Sequence, residues 1–202
     1  MRDIKQETDM TADVADLAAR PGTLTERRTG GFPGMVTPAE FKAVFRNYPA
    51  GVAVITADAG DGPVGLTATS VISVSAEPPL LVFSLASSSS ATAALRRADT
   101  VVVHLLGAAQ LDVAKVFATS AIDRFADTSL WDRLPTGEPY LVGAATWLRG
   151  RIVNQMSAGS SVVLAAQAVE THAAIPADVD EEPPLVYHNR TWHGLTHRSK
   201  IA

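Results

Sequence analysis

Residues 51–95 read GVAVITADAGDGPVGLTATSVISVSAEPPLLVFSLASSSSATAAL, and this stretch sets the fold class. Residues 51–57 are rich in β-branched side chains, 58–63 carry turn residues, and 64–75 bring Leu66, Ala68, Val71 and Val74 into a second strand-like run. A β-hairpin is predicted. Pro78-Pro79 ends the second strand, and residues 80–85 form a nearly continuous apolar run suited to a strand buried on both faces. Two clusters rich in Ser and Thr, at 67–70 and 87–90, fall where strands end or turn. Hydroxyls and backbone N–H groups at such places are available to a ligand rather than to a core.

Upstream, Thr37-Pro38-Ala39-Glu40 has the make-up of a capping box, and Phe41, Val44 and Phe45 follow at helical spacing. The spacing predicts a short amphipathic helix ending near Tyr48-Pro49. Residues 1–35 are polar, broken by Pro and Gly, and without a sustained period, so they read as a flexible tail ahead of one domain over 36–202. Downstream, 91–97 reads as a short helix whose start could bind an anion, 100–106 as a strand, and 110–117 and 122–125 as helical. Residues 129–138 read as a loop or broken helix, 140–154 and 160–171 carry β-type runs, 176–184 is an acidic loop, and 184–195 is a last strand. Six or seven strands with few helices predict a mainly β fold, a closed or partly closed antiparallel barrel.

The composition excludes several classes. A chain of 202 residues, 47% hydrophobic and with a formal net charge of −4, suits one globular domain with no attraction to nucleic acid. It has no cysteine, which removes disulfides, thiolate metal sites and thiol nucleophiles and fits a reducing compartment, the cytoplasm. No run of about 18 apolar residues or secretory leader is read, so no membrane span is expected. No P-loop or G-x-S-x-G motif occurs, and the G-x-G-x-x-G spacing of Gly60, Gly62 and Gly65 falls in the expected hairpin turn, so a Rossmann dehydrogenase, an NTPase and an α/β-hydrolase have no support. His188 and His193 lie five apart in the expected last strand, on opposite faces, so no metal site is expected.

Five segments together carry a resemblance: T-A-x-S at 67–70, S-V-S-x-x-P-P-L at 73–80, the Ser-rich turn before Thr92, V-F-A with D-R-F at 116–118 and 123–125, and P-L-V-Y-H-N-R at 184–190. In that order and spacing they resemble the flavin reductase-like family, FMN-binding split barrels that serve as reductase components of two-component flavin monooxygenases. The resemblance implies a flavin site at the interface of a homodimer, binding FMN or FAD, with NADH or NADPH as reductant and a monooxygenase as recipient of reduced flavin. It implies that Thr67, Ala68, Thr69 and Ser70 hold the ribityl and phosphate side. Ser84, Leu85 and Ala86 would follow the isoalloxazine edge, Ser89 and Ser90 the phosphate, and Phe117, Arg124 and Phe125 would close over the flavin. Where many members carry A-G-D-H, with the His near the nicotinamide, this chain has Ala158-Gly159-Ser160-Ser161. The nicotinamide side is thus assigned to Ser161 and His188, and a hydroxyl there brings neither positive charge nor imidazole face. Two other functions stay open: a flavoenzyme that retains its flavin, and a non-catalytic flavin-binding protein.

Overall fold

The computed structural model describes residues 35–173 and 182–201. The tail expected over 1–35 and most of the acidic 176–184 loop lie outside the described residues. The elements run α1 (Pro38–Arg46), β1 (Ala50–Gly51), β2 (Ala53–Asp58), β3 (Pro63–Ala68), β4 (Ile72–Ala76), β5 (Pro79–Ala86), α2 (Thr92–Leu95) and β6 (Thr100–Leu105). After a short 3-10 turn come α3 (Leu111–Ala118), β7 (Trp131–Arg133), β8 (Pro139–Leu141), β9 (Thr146–Ala158), β10 (Ser161–Ala173), β11 (Leu185–His188) and β12 (Thr191–Gly194). The fold is mainly β with short helices, as expected.

Seven strands form one sheet in the order β3-β2-β6-β9-β10-β5-β4, with β1-β11-β12 and β7-β8 as small separate sheets. Every pairing is antiparallel. The central strands explain the dense apolar runs. On one face Ile55 of β2 and Val101 and Val103 of β6 pack with Phe83, Leu95 and Leu164. On the other, Val54 and Val102 pack with Phe117, Leu141, Trp147 and Leu185. A strand covered on both sides has no polar face, so β-branched residues occur without alternation.

The β2–β3 hairpin forms as predicted. Asp58 Oδ1 accepts hydrogen bonds from the N–H groups of Gly60 (2.8 Å) and Gly62 (3.1 Å), whose φ angles of 99° and 107° suit glycine. The single strand expected over 64–75, however, is two strands at opposite edges of the sheet. The cause lies at Ser70, whose hydroxyl donates to the Ser84 carbonyl (2.9 Å) and accepts from the Ser84 N–H (3.0 Å), so a side chain takes the place of a backbone ladder there. Ala68 and Ile72 are four Cα steps apart, which can span at most about 14 Å. The sheet therefore curls until its two edges approach one another.

Other expectations need smaller corrections. In β5, Leu81, Phe83 and Leu85 are buried while Leu80, Val82 and Ser84 are only partly covered, so the strand buries one face and not both. The helix expected over 91–97 is only four residues, and no serine caps it: the Thr92 hydroxyl instead donates to Ala86 O (2.8 Å). Residues 122–125 turn rather than coil into a helix, since Asp123 Oδ1 captures the Phe125 N–H at 2.9 Å. Residues 129–138 include β7, and the last strand of 184–195 is a hairpin, β11–β12, turning at Asn189 and Arg190 with φ of 49° and 62°. The amphipathic helix forms, yet no residue of α1 is buried.

Among the buried polar residues, His104 and Glu138 are titratable. His104 Nε2 accepts the Leu141 N–H at 3.0 Å, which leaves the proton on Nδ1, 3.0 Å from Val54 O. Burial pushes its pKa down to about 4, against a raising effect of the Val54 hydrogen bond, so the ring stays neutral. Glu138 accepts from Thr100 (2.5 Å), Thr136 and Arg149 Nε (2.6 Å). Burial raises its pKa, but these hydrogen bonds together outweigh it and hold the carboxyl at about 2.

Candidate functional site

A cavity of about 880 Å³ opens where the sheet edges approach, within the size range of small-molecule sites. Its apolar floor is supplied by Leu66, Ala68, Leu85 and Phe117. Its rim carries the hydroxyls of Thr67, Thr69, Ser70, Ser84 and the 88–90 serines, along with Ser120 and Ser161. Thus the T-A-x-S segment, the end of β5 with Ala86, and the serine turn with Ser89 and Ser90 converge on one space, although β3 and β5 lie at different places in the sheet.

Not every hydroxyl is available. Thr67 donates to Ala114 O at 2.7 Å, tying β3 to α3, and Ser70 forms its double bridge to Ser84. Thr67 and Ser70 shape the wall, and Thr69 and the 88–90 serines leave their side chains without a protein partner among the described hydrogen bonds.

Arg124 brings the cavity's cation. Its guanidinium is held by Gly65 O (Nη1, 2.8 Å) and Thr119 O (Nε 3.0 Å, Nη2 2.8 Å). Burial lowers its pKa from the ordinary value, and an arginine remains charged nonetheless. Among the described residues no carboxylate lines the cavity, so its field favours an anion such as a phosphate. Phe117 is buried and meets Phe125 edge to face, with ring centroids 5.2 Å apart. Phe125 does not reach this cavity: it packs behind Phe117 against Trp131, centroids 5.1 Å apart. Its place in the expected site is corrected to support, because the turn at Asp123 directs it into the core.

Ser161 lines the cavity at the start of β10, following the β9–β10 turn in which Gly159 takes φ of 61°. His188 does not line it. The β11–β12 hairpin pairs Tyr187 with Trp192 and puts both at the cavity, so the neighbouring His188 belongs to the opposite face. The same hairpin corrects the expectation for His188 and His193: they share one face, with ring centroids 5.8 Å apart. Among the described residues no third His, Cys, Asp or Glu completes a metal-binding group with them. Tyr187 and Trp192, rings 4.7 Å apart, are site residues that the sequence pattern did not single out. An unbroken strand over 184–195 would have separated them.

An apolar floor, a hydroxyl rim, two aromatic rings and one arginine define a site for a flat, partly apolar molecule that carries negative charge. Residues 45–196 match the model of the flavin reductase like domain, and the chain belongs to that family of oxidoreductases. It is 42% identical over 186 residues to an NADH:FMN oxidoreductase of Rhodococcus erythropolis, covering 92% of each chain. It is 30% identical to the reductase component of a 4-nitrophenol 4-monooxygenase/4-nitrocatechol 2-monooxygenase of Rhodococcus opacus, over 81% of this chain and 84% of that one. The crystal structure of a flavin reductase domain protein from Arthrobacter sp. FB24 superposes with a TM-score of 0.73 at 34% identity, over 79% of this chain and 96% of that one.

Proposed function

We propose that this chain reduces FMN or FAD with NADH or NADPH and hands the reduced flavin to a partner monooxygenase. The observation that carries the reading is the cavity itself, with its apolar floor, hydroxyl rim and single arginine, in a chain 42% identical to an NADH:FMN oxidoreductase. A bound flavin supplies the hydride-accepting chemistry, and the protein supplies alignment and exclusion of water. Thr69, Ser89 and Ser90 would bind the phosphate and ribityl side, with Arg124 offsetting charge. Main-chain groups of Ser84 and Ala86 would meet the polar edge of the ring. Leu85 and Phe117 would keep water from its apolar side, and Ser161 would stand on the side where the nicotinamide enters.

In this reading the curled sheet is a split barrel, and two copies pair as a homodimer. Exposed apolar side chains at Ile72 and Val74 of β4 and at Val153 and Met156 of β9 favour pairing. Among the described residues no helix is long and apolar enough to cross a membrane, and a chain free of cysteine suits the reducing cytoplasm. A second reading, a flavin-binding protein without nucleotide use, is favoured by the hydroxyl of Ser161 in place of an imidazole.

Oxidation of NADH and NADPH, followed by absorbance with and without added FMN and FAD, separates the readings. Turnover that rises with added flavin supports the reductase. A purified protein that stays yellow and turns over without added flavin fits a flavin-retaining enzyme, and flavin binding without nucleotide oxidation removes the reductase reading.

A further inference from the structure

A second, smaller groove of about 330 Å³ lies between α1 and the β11–β12 turn. It shares Thr69 and Tyr187 with the large cavity, so the two adjoin. Phe41 and Phe45, one helical turn apart, hold their rings 4.7 Å from each other, and Tyr48 sits edge-on to Phe45 with centroids 6.4 Å apart. Lys42 and Arg46 repeat the same four-residue spacing, and Arg190 faces them from the hairpin turn. None of these three cations takes part in an ion pair among the described residues. Among the described residues no carboxylate lines the groove, although the chain as a whole has a net charge of −4.

Three solvated cations beside exposed aromatic rings match one kind of ligand, a purine base attached to a pyrophosphate. The base stacks on a ring or a guanidinium, and the phosphates meet Lys and Arg. The shared wall at Thr69 and Tyr187 puts the large cavity within reach of the other end of such a ligand.

We propose that this groove binds the adenosine diphosphate end of a dinucleotide whose redox-active ring occupies the large cavity. The inference rests on the flavin and nicotinamide reading of that cavity. The same chemistry is present in FAD and in NAD(P)H, and comparison with the corresponding mononucleotides tells the two sources apart.

The test uses the full chain and the double variant Lys42→Ala/Arg46→Ala, whose side chains are exposed. Calorimetric titration with ADP itself should give binding to the parent and at least about tenfold weaker binding to the variant, as expected for the loss of two charge-assisted contacts. Flavin fluorescence should show a raised Kd for FAD with FMN unmoved if the adenosine is the flavin's. If it is the reductant's, KM should rise for NADH and stay put for reduced nicotinamide mononucleotide. Arg190→Ala, on a different element, should repeat the loss even if changes in α1 disturb the helix. ADP that fails to bind the parent, equal ADP affinity in parent and variants, or equal weakening of mononucleotides and dinucleotides overturns the proposal. So does a variant that changes oligomeric state at unchanged ADP binding, because α1 then faces a second copy. A parent that binds ADP but neither FMN nor FAD would sink the flavin reading and leave the groove standing as an ADP site.

Discussion

Ser161 stands directly across from Ala86 where β10 pairs with β5, and both residues line the large cavity. The register thus sets the Ser160-Ser161 departure against the segment expected to follow the flavin ring. Replacing Ser161 with His exchanges the hydroxyl for an imidazole, with a longer-reaching N–H donor and a flat face. One well-aligned hydrogen bond contributes about 0.5–1.5 kcal/mol, so kcat/KM for NADH should rise several-fold. Steady-state kinetics at saturating flavin check this, and identical constants in parent and variant would remove position 161 from the nicotinamide side.

Gly65 sets how far Phe117 can settle into the wall. A Cβ at Gly65 would come 2.7 Å from Phe117 Cε1 and 3.1 Å from the Ile55 carbonyl oxygen. Gly65→Ala should therefore push the Phe117 ring toward the cavity and disturb the carbonyl that holds Arg124. Overpacking of this kind costs about 1–3 kcal/mol. Flavin titration should show weaker binding and thermal unfolding a lower Tm, while unchanged flavin affinity would mean that the ring retreats into the core instead.

His104 gives the fold a pH dependence of known sign. Its folded pKa of about 4 lies below the ordinary 6.5, so the unfolded chain binds the proton first. Stability is full above 6.5 and falls as the pH drops toward 4, by roughly 2–3 kcal/mol at pH 4.5. Urea unfolding at pH 7, 5.5 and 4.5 measures it. His104→Gln, whose amide can both donate and accept, should be less stable at pH 7 but lose less over this range; an equal slope would put the acid sensitivity elsewhere.

Glu138 acts in a lower window. Its pKa falls from 4.5 to about 2 on folding, so its contribution is complete above 4.5 and is lost as the pH falls through 2. Glu138→Gln leaves Arg149 without its carboxylate, a loss on the order of 1–3 kcal/mol for a charge-assisted hydrogen bond in a partly buried pair. The melting temperature at pH 7 should drop, and the fall in stability between pH 4.5 and 2 should become shallower. A variant as stable as the parent would show that Arg149 finds another acceptor.

How much could be read in advance varied with the range of the interaction that decides each feature. Residues 53–58 and 100–105 announced their strands because both faces of a central strand are apolar, a purely local mark. The serine and threonine clusters announced the site because short polar residues at strand ends have few core uses. The break at Ser70 was hidden, since it depends on a backbone partner fourteen residues away. Tyr187 and Trp192 were hidden by the turn at Asn189 and Arg190, where two residues other than glycine adopt positive φ. The fate of Phe125 turned on a single Asx hydrogen bond from Asp123, which a helical apolar spacing concealed.

The Ser70 bridge has a consequence for where a ligand can find main-chain partners. A cylinder stitched all the way round would commit the peptide groups at its seam to neighbouring strands. Here the two edge strands β3 and β4 are joined by the three-residue link 69–71, which is fastened to Ser84 of β5 by one hydroxyl. Because a side chain makes that contact, it commits none of the link's own peptide groups, at the point where the chain passes from one rim of the sheet to the other.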